Sequence, residues 1–463
     1  MRYRARLYEK CFSLSCAQRD ARMRKVFDER TSMKELSLRL NFVLHVLAVF
    51  VMPLFVGQVV FAFETAPRVE WRAALDVDDV ALSSTTTDQP QPNRVLRDDS
   101  APTSDASGAT STLPSIAVVV DDRVTLLSIV ARLAGAGEYT DRRTKSPYSD
   151  AVDRHFSQFR DHPVVELFRR MRAKSGVSYD APMSLACHVG PLPELQERVD
   201  FSNQPERLDA RWTLAETREF LAALRDFVET AGVVEFLNAQ RTYEEKARER
   251  LARAFDGAKL RAWCDEFFGA RETAVFEVRL GLLNGPHNYG VGARMNQQSA
   301  DKPSGLIEEI TPVIGCWQWD AAQGLPTWPQ GALEGLIVHE LCHSYVNAEI
   351  DRSWAALEPA SQRLLMLDES RMRAQAYGTA RIVCYETVVR ACVVRYFRAR
   401  AGEKGEAMAK KAEVRQGFLW VPAVADALAV YEATPVEKRD FTACVLDLVP
   451  TLTSEADRLT RPK

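Results

Sequence analysis

Histidine is scarce in this chain, with seven in 463 residues. Two of them close together therefore need a physical explanation. Cysteine is thin as well. There are nine, with no CxxC pair and no regular spacing, and Cys11 and Cys16 lie upstream of a long apolar run. The irregular remainder argues against a disulfide framework as the basis of the fold. Cys342, Cys384 and Cys392 fall in apolar helical stretches and read as buried thiols. An excess of charge of one sign is also missing. The net charge is -3 with 27% charged residues. No global field draws the molecule to nucleic acid, and no basic run offers a local one in the folded part. No internal repeat is present. The apolar fraction, 46%, is that of a globular chain long enough for one large domain or two ordinary ones.

The one long uncharged run is 40–63, LNFVLHVLAVFVMPLFVGQVVFAF. It has roughly the length needed to cross a bilayer. Residues 1–39 before it are rich in Arg and Lys, as on a cytoplasmic flank. Two readings compete. One is a signal peptide starting at Met33, with Val60-Phe61-Ala62 as its cleavage site. The other is an uncleaved membrane anchor. Both place the rest of the chain outside the cytoplasm, secreted or in the cell envelope. Residues 64–115 follow, and 83–115 are dominated by Ser, Thr, Asp and Pro. Such a stretch cannot pack and reads as a disordered tether.

Folded character begins near residue 116. A short strand (SIAVVVDD) leads into a helix that ends at Gly135. Helical periodicity then covers 151–174, 214–238 and 243–268. Strands are predicted at 273–283 and 288–295, joined by the turn NGPH, with a third candidate at LIEEITPVIGCWQW. Helices return at 330–348, 354–367 and 371–400. The order predicts an α+β domain over 116–455, mostly helical, with a small antiparallel sheet beside the helix at 330–348.

That helix holds the histidine pair, in LEGLIVHELCHSYVN. Residues i and i+4 stack on one helix face, so His339 and His343 aim at one point. Glu340 sits about 100° round the helix. It is poorly placed as a ligand but can reach a water held there. This HExxH spacing is that of zinc hydrolases: two imidazoles on Zn²⁺ and a carboxylate as general base. The surrounding Leu336, Ile337, Val338 and Leu341 make the helix apolar. Buried imidazoles need polar partners, and one metal serves both.

Catalytic zinc takes a third protein ligand. Glu349 and Asp351 lie a little downstream, but Val346 occupies the position where a chain reversal wants glycine. Glu386 is the stronger candidate. It is the one charged residue in the helical stripe Ile382, Glu386, Val389, Val393. A carboxylate there is costly unless it is paired or binds a metal. Arg390, at i+4, can pair with it and orient it.

The segments VHELCHSYVN, QAYGTARIVCYETVVRACV and HPVVELFRRMRAKSGVSYDAPMSLACH together resemble an uncharacterised bacterial family of HExxH zinc metallopeptidase type, known as a domain of unknown function. The resemblance covers 116 to about 445. It places the motif H-E-x-x-H-S on His339, Glu340, His343 and Ser344. It places Glu-x-x-x-Arg-Ala on Glu386, Arg390 and Ala391. It implies a zincin-like fold of the gluzincin kind, in which a glutamate on a later helix is the third ligand. The chain departs from the best-known gluzincins in having Tyr385 before that glutamate and a long gap after His343.

An oxyanion donor is sought among Tyr345, Tyr377, His287, Tyr289 and Arg390. His287 lies in NGPHNYG, beside a strand that offers an edge to an extended peptide. His188, after an apolar run, reads as a satisfied core residue. The sequence thus predicts a zinc-dependent metallopeptidase acting on a peptide or protein, tied to a membrane only through 40–63. Two alternatives stand beside it: a tethered, non-catalytic metal-binding module, and a zinc hydrolase of non-peptide amides.

Overall fold

The computed structural model describes residues 115–299, 302–329 and 331–461. The leader, the 40–63 segment and the linker lie outside the described residues. No helix among the described residues is long and apolar enough to cross a membrane.

The chain enters at β1 (Ala117–Val119) and forms the helices α1 (Asp122–Leu133), α2 (Pro147–Phe156), α3 (Pro163–Ser175), α4 (Asp180–His188), α5 (Leu214–Thr230), α6 (Val233–Ala252) and α7 (Gly257–Phe268). The strands β2 (Ala274–Gly281), β3 (Tyr289–Ser299) and β4 (Lys302–Gly315) follow. Then come α8 (Ala332–Leu367), α9 (Ala380–Gln416), α10 (Val421–Glu432), α11 (Phe441–Asp447) and α12 (Val449–Thr460). The fold is α+β and mostly helical.

Local chemistry sets several boundaries. The predicted helix 151–174 is two helices, because Pro163 cannot continue a helix and begins a new one, with the His162 ring accepting from Val164 N–H. The predicted helix 214–238 divides at Gly232, which takes φ +60. The stretches 330–348 and 354–367 instead join into one helix. No glycine or proline stands in the short run between them, and its exposed Asp351 and Arg352 pair on the helix surface, Asp351 with Arg381 and Arg352 with Glu349. The helix predicted at 371–400 starts only at Ala380, after a separate short helix over Glu369–Ala374, and continues to Gln416 past Ala401–Gly402, where its backbone leaves helical geometry.

The sheet corrects the expectation of an antiparallel one. Its order is β1-β2-β4-β3, with β1, β2 and β4 parallel and only β3 antiparallel, paired to β4. The NGPH turn does not close a hairpin. It carries the chain across the end of β4 to the far edge of the sheet. Gly315 permits the crossing: a Cβ there would lie 2.2 Å from the Gly285 carbonyl oxygen and 2.5 Å from that of His287. The Asn288 side chain accepts from Gly315 N–H at 3.0 Å and holds the crossing in place. β2 and β4, flanked on both sides, bury Val278, Leu280, Ile310, Val313 and Ile314, as central parallel strands do.

β3 is left as the edge, and it runs against α8. Gly290 makes that approach, since a Cβ on it would lie 2.4 Å from the Glu340 carbonyl oxygen. On its other side α8 packs along α9. The HExxH segment is therefore held between an edge strand and a second long helix.

Candidate metal centre

The helical period does what the spacing predicted. The rings of His339 and His343 meet edge to face, 4.9 Å apart, with their Nε2 atoms at 3.3 Å. α9 brings Glu386 to the same point. One carboxylate oxygen is 3.5 Å from His339 Nε2, and the other is 3.5 Å from His343 Nε2. Among the described residues this trio alone forms a compact set of three ligand-type side chains. It is well buried, and His343 is the most open of the three at 16% side-chain exposure.

The donors fit a metal. The Asn347 amide oxygen lies 3.1 Å from His343 Nδ1. That acceptor keeps the proton on Nδ1 and leaves the Nε2 lone pair pointing inward. Two ring nitrogens and two carboxylate oxygens thus converge, a donor set of the kind that can hold a cation. For bonds of about 2.1 Å, a tetrahedral ion sets neighbouring donors about 3.4 Å apart. The two Nε2 atoms stand 3.3 Å apart and each faces its own Glu386 oxygen at 3.5 Å. With one ligand atom from each residue, all three lie within 4.8 Å of one another, so they converge on one point and small side-chain shifts would close them on an ion. His339 Nδ1 is buried with no hydrogen-bond partner, so the tautomer of that ring is not pinned in the same way.

The protonation of the cluster is set by burial and by the pairing of His343 with Glu386. Burial holds His339 near pKa 3. Burial also opposes charge on His343, but the Glu386 carboxylate outweighs it and lifts the ring to about 9. Glu386 sits well below its ordinary range: burial would raise it, and His339, His343 and Arg390 prevail. A metal would take the place of the proton on His343.

Behind Glu386 stands Arg390, about 1% exposed. Its Nε donates to Glu386 at 3.2 Å. One terminal nitrogen donates to Glu413 and to Gln416, each at 2.8 Å, and the other to the Tyr377 hydroxyl at 3.0 Å. The Phe418 ring covers the guanidinium at 4.3 Å. Arg390 and Tyr377 therefore fix the carboxylate from behind rather than facing the space in front of it. Sequence reasoning missed Glu413 and Gln416. They lie beyond the helix predicted at 371–400, and the break at Ala401–Gly402 lets that later stretch turn back on to Arg390. Asn347 was detectable, being i+4 from His343.

Glu340 is buried, and burial raises its carboxyl to about 7, against the pull of His343 and of the Gly290 N–H on β3. The other candidates lie elsewhere. Glu349 pairs with Arg352 and accepts from Thr442. Asp351 binds Arg381 and Tyr385. Neither joins the histidines. Tyr345 is stacked between Phe268 at 4.2 Å and the Arg271 guanidinium at 3.9 Å, within the core. His287 rests against the rings of Tyr179 and Tyr289. His188 is fully buried and bonded to the carbonyls of Ser184 and Glu206. Two surface hollows, one around Val449 and Asp457 and one around Arg253 and Asp256, involve none of the trio. The donor set marks this site, not the depth of a cleft.

A family model described as "Domain of unknown function (DUF4932)" matches residues 116–440. The chain belongs to this family. The DUF4932 region runs from β1 to the start of α11 and contains both ligand-bearing helices, α8 and α9. No curated protein and no solved structure matches the chain.

Proposed function

We propose that this domain is a zincin-like, gluzincin-type metallopeptidase, acting outside the cytoplasm behind the 40–63 segment. His339, His343 and Glu386 hold a zinc ion, and Glu340 is the general base. The observation that carries the reading is the convergence of His339 Nε2, His343 Nε2 and the two Glu386 carboxylate oxygens in one buried cluster, beside a buried carboxyl that is not part of it.

When bound, zinc supplies Lewis acidity that polarises a scissile carbonyl and makes water a nucleophile near neutral pH. The protein supplies the rest. Glu340, raised into the neutral range, takes a proton from the attacking water and hands it to the leaving nitrogen. The Gly290 N–H points the carboxylate. Arg390 and Tyr377 keep Glu386 in one orientation. An extended peptide lies along the edge strand β3, which passes directly beside Glu340. Buried Glu340, which a merely metal-binding module does not need, favours hydrolysis over the non-catalytic alternative.

The test is a metal and activity pair on the full chain. Elemental analysis is expected to give about one zinc per chain. Glu340→Gln should keep that zinc and lose peptide cleavage by a factor of about 100 or more. A zinc-loaded wild type that cleaves no member of a peptide library would sink the reading, as would full activity in the variant.

A further inference from the structure

Positive charge gathers beside the centre without a matching set of acids. Arg207, Arg271 and Arg294 all bind the carboxylate of Glu308 on β4, Arg271 at 2.9 Å, Arg294 at 3.4 Å and Arg207 in closer contact. Arg207 and Arg271 also reach the carbonyl oxygen of Ser344, at 3.4 and 3.5 Å, on the residue that follows His343. The one further acid on the cluster, Glu206, meets Arg294 from solvent at 65% exposure. Arg294 Nε is buried without a partner. The guanidinium groups still reach water, with side-chain exposures of 17% for Arg207 and 25% for the other two. Arg207 holds a left-handed backbone, φ +71, a strained position for a large side chain.

The cluster lies along the edge strand that passes beside the general base. Gly290, Gly292 and Arg294 occupy alternate positions of β3 and share one face. Gly290 abuts Glu340 and the His343 Cβ, a Cβ on Gly292 would stand 3.3 Å from an Arg207 terminal nitrogen, and Arg294 belongs to the cluster itself. At the rise of a strand, the first step is about 7 Å and the whole path about 13 Å. That spans two to four residues of an extended peptide. Arginine is suited to this task because its planar fork matches a carboxylate.

We infer that Arg207, Arg271 and Arg294 form a subsite for a substrate carboxylate, so that the peptidase prefers an anionic group a few residues from the scissile bond. The group is either the α-carboxylate of a chain end or an acidic side chain. The inference rests on the metallopeptidase reading for its link to cleavage, but not for binding itself.

Binding separates the two. The zinc-loaded Glu340→Gln chain is titrated calorimetrically with four neutral-sequence peptides of one length: free C-terminus, C-terminal amide, amide with one internal Glu, and amide with Gln in its place. One carboxylate peptide should bind about tenfold or more tighter than its neutral partner. Preference for the free terminus identifies a chain end, and preference for internal Glu identifies an acidic side chain. Arg294→Gln should abolish the preference and Arg294→Lys should restore part of it. Arg271→Gln repeats the test from a different element if Arg294→Gln fails to fold. Equal affinity for all four peptides, including no measurable binding, overturns the inference, as does a preference that survives both Gln variants. Failure of the wild type to cleave any peptide would remove the hydrolase reading and leave this binding result standing.

Discussion

Glu308 and Glu309 are neighbours on β4, yet they face opposite sides of the sheet, as successive strand residues must. Their surroundings differ in kind. Glu309 is held by Arg198, at 2.6 and 3.0 Å, and by Arg279 at 3.4 Å. Arg279 continues to Asp121 at 3.0 Å and to Glu277 at 4.0 Å, and Asp121 to Arg123 at 2.8 Å, so three acids meet three arginines. Acids and bases alternate through this buried chain. Arg198 and Arg279 both hold their protons more tightly than usual. On the opposite face three guanidiniums share Glu308. There Arg207 is shifted the other way, by burial and by repulsion from Arg294 and Arg271, against the pull of Glu308. One face of the strand is a closed structural network. The other is short of negative charge and open to water beside the candidate metal centre. A count of ion pairs would treat them alike, whereas the balance of charge separates them.

The strongest way to break this comparison is Glu309→Ala. It strands two largely buried guanidiniums and should cost about 3–5 kcal/mol, read from the midpoint of urea unfolding. A loss below about 1 kcal/mol would mean that the Glu309 network is not structural. Glu308→Gln should cost less, about 1–2 kcal/mol, because its arginines can hydrate. It should also tighten binding of the preferred carboxylate peptide, since an internal competitor is gone. Weaker binding in this variant would put Glu308 itself in the recognition surface and undo the contrast.

The smallest effect is in pH. Asp121 and Glu309 are lowered in the folded chain: burial would raise both, but Arg279 and Arg123 outweigh it at Asp121, and Arg198 and Arg279 at Glu309. A lowered folded pKa gives stability that is complete above the unfolded value, about 4, and is lost as pH falls through the folded one. Unfolding free energy should therefore decline below about pH 4, and the decline should be shallower in Glu309→Ala. An unchanged acid slope in that variant would assign acid sensitivity to other carboxylates.

Much of the candidate centre was legible because it is local. The i, i+4 spacing places His339, His343 and Asn347 on one face whatever surrounds the helix, and the same period exposed Glu386 in its apolar stripe and paired it with Arg390. The strands were also detectable. Their partners were not: the hairpin expected across NGPH became a crossing, because pairing depends on which backbone fills the space between two edges, and that is a non-local choice. The arginines of the carboxylate subsite carried no signal either. Arg207 lies in a loop, Arg271 after α7 and Arg294 in β3, and no periodicity connects them.

The sequence by itself determined which side chains share a helix face and where helices stop, since both follow from the pitch of the backbone and from the geometry of proline and glycine. Only the tertiary structure decided that α9 meets α8 at Glu386, that β4 separates β2 from β3, and that three distant arginines face one carboxylate. Those outcomes come from packing and charge neutralisation between segments far apart in the chain, which no local rule reaches.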